Sequence, residues 1–150
     1  MNVLFLDIDG VMNNDNLLTF GGWNTIGDVQ LDMLKKIVEL TNAKIVLSST
    51  WRLEDFTKKL VEEALATKGL ELFDSTIEIK DNNRSIVPRS SEILEWLSRH
   101  PDVLRFAILD DCSDAGIEIE DNFFKTDFSD GLTWFIADNV IEHFQSAMEE

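Results

Sequence analysis

Residues 3–11 read Val3-Leu4-Phe5-Leu6-Asp7-Ile8-Asp9-Gly10-Val11. The apolar run Val3–Leu6 suits a short strand buried on both faces of a parallel sheet. The acidic residues and glycine that interrupt it deliver polar groups to a loop at the strand's carboxyl end. Two unpaired carboxylates at a buried strand end repel each other and lose hydration, so a divalent cation or a cationic substrate group is their natural compensation.

The same arrangement returns along the chain. The apolar stretch Ala43–Leu47 stops at Ser48-Ser49-Thr50, and Val103–Leu109 stops at Asp110-Asp111. Phe123-Phe124 suggests a fourth strand and Thr76–Ile79 a short extra one. Between them lie helical patterns. From Asp28, a plausible cap, apolar residues recur at Val29, Leu31, Leu34, Ile37, Val38 and Leu40. Residues 53–68 repeat the pattern through Phe56, Leu60, Val61 and Leu65, with Gly69 as the stop. Ser90 or Ser91 caps a helix holding Ile93, Leu94 and Leu97, and Thr133–Met148 forms the last one. Residues 12–27, rich in Asn and Gly around Trp23, read as a loop or flap, and 81–84 as a turn. Strands alternating with helices predict a three-layer α/β domain with a mainly parallel sheet. Its ligands would bind beyond the strands' carboxyl ends, where strand order reverses. At 150 residues without a linker or repeat, one domain over 1–150 is expected.

Composition narrows the chemistry. One cysteine, Cys112, allows no internal disulfide, and with only His100 and His143 beside it there is no zinc-type ligand set, so any metal should be oxygen-bound. Three carboxylates around Cys112 disfavour a thiolate nucleophile. No apolar segment approaches the ~20 residues of a membrane span, and Asp7 interrupts the first apolar run, so a cytoplasmic location is expected. The net charge is −16, and beyond residue 101 the only Lys or Arg are Arg105 and Lys125. Such a surface disfavours broad electrostatic contact with nucleic acid.

Asp7-Ile8-Asp9-Gly10-Val11 resembles the first signature of the haloacid dehalogenase (HAD) superfamily. The resemblance implies a Rossmann-like fold and a Mg²⁺-dependent phosphohydrolase. Asp7 would attack phosphorus and become an aspartyl phosphate; Asp9 would protonate the leaving oxygen and then activate water. The Asp7 carboxylate and the Asp9 backbone carbonyl would be metal ligands. The second signature, a hydroxyl residue ending an apolar strand, falls on Ser48, or on Ser49 if the strand runs one residue further. Arg52 would supply a further phosphate contact. For the third, a cation ahead of a helix, Arg89 fits best, with Arg84 and Lys80 competing. The fourth is Asp110-Asp111-Cys112-Ser113-Asp114: Asp110 would bind the metal, and Asp111 or Asp114 its waters. An aspartate two residues after the nucleophile favours a phosphatase over the dehalogenase branch.

Leu47-Ser48-Ser49-Thr50-Trp51-Arg52 resembles a loop of the small HAD domains associated with RNA-repair proteins, which makes a polynucleotide-end phosphatase the alternative within the superfamily. A non-catalytic HAD-like binding domain is the alternative outside catalysis. Neither insertion point has room for a large cap, since independent domains usually need at least ~50 residues. An open site suits a phosphate carried on something large. The acidic surface points to a phosphoprotein or a phosphorylated small molecule ahead of a nucleic-acid end.

Overall fold

The computed structural model describes residues 1–80 and 87–146. Its sheet has five strands: β1 (Asn2–Leu6), β2 (Lys44–Leu47), β3 (Leu72–Ser75), β4 (Arg105–Asp110) and β5 (Phe123–Lys125). They lie in the order β3-β2-β1-β4-β5, and every pairing is parallel. The order reverses between β1 and β4. Leu6 is in register with Leu109, so the residues that follow, Asp7 and Asp110, emerge side by side at the reversal point.

The helices are α1 (Asp15–Gly21), α2 (Asp28–Thr41), α3 (Asp55–Ala66), α4 (Arg89–Ser98) and α5 (Trp134–Gln145). Alternation along β1 explains its unbroken apolar run. Leu4 and Leu6 pack with Leu34 and Ile37 of α2, Val61 and Leu65 of α3, and Val140 and Phe144 of α5 in one core. Val3 and Phe5 pack with Ile93 and Trp96 of α4 in the other. Both faces are covered, as an all-parallel sheet requires. Among the described residues no helix is long and apolar enough to cross a membrane.

Three expectations are corrected. The flap contains a helix, α1, started by Asn14 Oδ1 accepting from the Leu17 amide and closed at Gly22 with φ 92°. The short extra strand lies at Leu72–Ser75, ahead of the expected Thr76–Ile79; Thr76 only extends the ladder through its amide to the Leu47 carbonyl. β3 is an edge strand with Phe73 and Asp74 exposed, so it lacks the apolar signature of its neighbours. Helix caps also move: Gly27 precedes α2, and α4 begins at Arg89 behind Pro88 rather than behind a serine. The 81–84 turn, Arg84 and the end of the last expected helix lie outside the described residues.

Candidate active site at the strand carboxyl ends

Asp7 follows β1 directly, and its amide donates to the Leu109 carbonyl of β4 at 3.0 Å. Its carboxylate is buried. Asp110, the last residue of β4, is fully buried, and Asp111 is half-buried beside it. One oxygen from each of Asp7, Asp110 and Asp111 lies within 4.8 Å of the others, a grouping able to hold a metal ion. Gly10 permits this approach. With φ 80° it adopts a conformation that L side chains rarely take, and a Cβ there would lie 2.3 Å from Asp111 Oδ2. Thr126 fixes the same turn, its hydroxyl donating to the Gly10 carbonyl at 2.6 Å.

The Arg89 guanidinium enters the cluster from the first turn of α4. Nη1 donates to Asp110 Oδ2 at 2.8 Å and lies 3.0 Å from Asp7 Oδ1. Burial opposes its charge, but Asp7 and Asp110 outweigh that and hold its pKa above the ordinary value. Burial first, and then the neighbouring Asp110, push the Asp7 pKa well up despite Arg89. Burial and Asp110 likewise raise that of Asp111. Among the described residues, three carboxylates around one guanidinium leave an excess of negative charge, and an all-oxygen donor set of this kind suits a hard divalent cation such as Mg²⁺.

The other expected site residues separate into two groups. Ser48 directly follows β2 and is fully buried, with no hydrogen-bond partner for its hydroxyl among the described residues. A hydroxyl in that state is a ready donor to a ligand. The Ser49 hydroxyl accepts from the Trp51 amide and caps a 3-10 turn over Thr50–Leu53.

Arg52 is not presented to a ligand. Its Nε donates to the Thr76 carbonyl, Nη1 to the Ser48 and Ser49 carbonyls, and Nη2 to the Ile77 carbonyl and Glu92 Oε2, at 2.8–3.2 Å. A guanidinium has five N–H donors, and all five find protein acceptors here. The expected phosphate contact gives way to a structural tie between the ends of β2 and β3 and helix α4. Burial of Arg52, only partly offset by Glu92, lowers its pKa.

Asp114 and Asp9 stand apart from the three-carboxylate group. Asp114 Oδ2 accepts from the Arg89 amide at 3.2 Å, helping to start α4. Asp9 Oδ2 accepts from Trp51 Nε1 at 3.1 Å, and Oδ1 from Asn13 Nδ2 at 3.0 Å. Lys80 is exposed, its Nζ 3.9 Å from Glu78. Asn13, Thr126 and the partnership of Trp51 with Asp9 escape the sequence reading. Only Asn13, four residues after Asp9 on a turn, carries a local signal.

No curated protein sequence matches the chain. The family match covers residues 3–135, which hold β1 from Val3 onward, β2 to β5 and the whole carboxylate cluster. The chain therefore belongs to the family described as the HAD domain in Swiss Army Knife RNA repair proteins.

Proposed function

We propose that this protein is a Mg²⁺-dependent phosphatase that hydrolyses phosphate monoesters through an aspartyl phosphate on Asp7. The observation that carries the reading is the meeting of Asp7, Asp110 and Asp111 with a single bridging guanidinium, Arg89, at the point where strand order reverses. Asp7 Oδ attacks phosphorus as the ester P–O bond breaks, and Asp9 gives its proton to the departing oxygen. Asp9 then takes a proton from water, whose oxygen attacks phosphorus and breaks the bond to Asp7. The Ser48 hydroxyl and the Arg89 N–H groups that have no partner among the described residues orient the phosphoryl oxygens. Asp7, the Asp9 backbone carbonyl and Asp110 would hold the cation, with Asp111 beside them and Asp111 or Asp114 holding its waters. The bound cation supplies positive charge that offsets the charge building on the transferring group.

The family's description supports a second reading, in which the phosphate sits on an RNA end. Against it stands the net charge of −16, which repels a polynucleotide over most of the surface. The two readings separate on one panel: phosphorylated oligonucleotides, nucleotides, sugar phosphates and phosphopeptides, assayed with Mg²⁺ at low and moderate salt. A preferred oligonucleotide whose catalytic efficiency falls steeply with salt selects the RNA reading. Absence of turnover on every member, with Mg²⁺ present, rejects a phosphatase of either kind.

A further inference from the structure

We propose that Trp51 and Asn13 are positioning residues that together aim the Asp9 carboxylate; this rests on the reading of Asp9 as the proton donor and acceptor. Asp9 leaves β1 on a turn and does not join the neighbouring carboxylates. Both of its oxygens accept hydrogen bonds, one from Trp51 Nε1 and one from Asn13 Nδ2. The donors come from separate parts of the chain, so the carboxylate is fixed against rotation from two sides. Each oxygen keeps a second lone pair for the proton to be transferred.

Neither donor is free to do anything else. Asn13 is fully buried, and each polar atom of its amide has a partner. Oδ1 accepts from the Gly10 amide at 2.9 Å, while Nδ2 donates to Asp9 and to the Thr25 carbonyl, each at 3.0 Å. This pattern sets the amide's orientation: flipped, its oxygen would face two acceptors and its nitrogen would face an N–H. Asn13 thereby holds the turn, the acid and the far side of the flap in one arrangement.

Trp51 is buried in the larger core, and a buried indole N–H needs an acceptor. Its backbone is fixed by the Ser49 cap, and the Arg52 beside it by the five bonds to neighbouring carbonyls and Glu92. The second-signature loop therefore has two duties at the site. It presents the Ser48 hydroxyl, and it holds an indole N–H against the residue that moves protons.

The test is the dependence of kcat/KM on leaving-group pKa, because a proton donor matters most when the departing oxygen is basic. Wild-type enzyme is compared with Trp51→Phe, which removes the N–H while keeping an aromatic ring, across dinitrophenyl, nitrophenyl, phenyl and alkyl phosphates. The expected result is about a tenfold loss on alkyl phosphates, the size of one hydrogen bond to a charged group. On the dinitrophenyl ester, whose leaving group needs no proton, the loss should be under about twofold. Asn13→Ala should steepen the slope in the same sense. In an Asp9→Ala background, Trp51→Phe should have no further effect on the alkyl esters.

Equal losses across the series, or an undiminished Trp51 effect without Asp9, would overturn the proposal while leaving the phosphatase reading intact. A wild-type enzyme inert toward all the esters would overturn both. Thermal melts accompany each variant. If Trp51→Phe does not fold, benzothienylalanine at position 51 keeps the bicyclic shape without the N–H and reads the same slope.

Discussion

Arg52 and Arg89 occupy similar places in the chain, each partly buried near the head of a helix at the carboxyl edge of the sheet, yet their surroundings are opposite. Around Arg52 the loop closes on itself, with four carbonyls and Glu92 receiving all of its donors. One cation meets one anion. Around Arg89 the carboxylates of Asp7, Asp110 and Asp111 outnumber the charge that binds them. The first region is electrically complete and serves as structure. Among the described residues the second is left with an excess of negative charge, and the proposed chemistry rests on that asymmetry.

The largest effect that can break this contrast is on turnover. Asp7→Asn keeps the shape of the side chain and replaces the proposed nucleophile with an amide, so activity should fall at least about a hundredfold, as for other essential catalytic groups. Retention of more than about a tenth of wild-type activity in purified, folded variant would reject the covalent mechanism.

Stability should separate the two arginines next. Arg52→Met leaves Glu92 buried without its partner and strips hydrogen bonds from four carbonyls, which should cost about 3–5 kcal/mol in a denaturant melt. Mg²⁺ should restore none of it. Arg89→Met removes the one cation that the described residues bring to a cluster that a divalent ion can also neutralise. Its loss of stability should be substantially recovered by Mg²⁺, while turnover stays low because the phosphoryl group has lost its guanidinium. If Mg²⁺ rescued both variants or neither, the division into a complete and an incomplete region would fail.

The legible part of the molecule was the part where one physical demand dominates. β1, β2 and β4 are buried on both faces, and their apolar runs announce them without reference to the rest of the fold. Their order along the chain also brings Asp7, Ser48 and Asp110 to a common edge. β3 was misplaced because an edge strand carrying Asp74 and an exposed Phe73 answers to pairing partners, not to burial. The role of Arg52 is hidden for a related reason. A guanidinium beside a phosphate and one closing a loop look alike in sequence, and only the positions of the Thr76 and Ile77 carbonyls, contributed by a different strand end, decide between them. Trp51 is the same case: nothing near it in the chain points to Asp9, 42 residues away.

The smallest predicted effect bears on whether the incomplete region carries the excess charge assigned to it. Asp7 and Asp111 have pKa values raised by burial and by Asp110, so the folded protein without metal holds protons that the unfolded chain has released. Between the unfolded carboxylate pKa near 4 and the raised folded values, stability contributed by these groups must fall as pH rises. Metal binding works in the opposite sense, since it requires the deprotonated carboxylates. At about 10 mM Mg²⁺ the gain in melting temperature should therefore be larger near pH 7.5 than near pH 5, following the ratio of free ion to its dissociation constant. Asp7→Asn should remove most of that gain, and without metal it should melt about as high as wild type or higher at neutral pH, because one of three mutually repelling carboxylates is gone. A Mg²⁺ gain independent of pH, or one that survives Asp7→Asn unchanged, would place the cation elsewhere and leave Arg89 as sufficient compensation for the cluster.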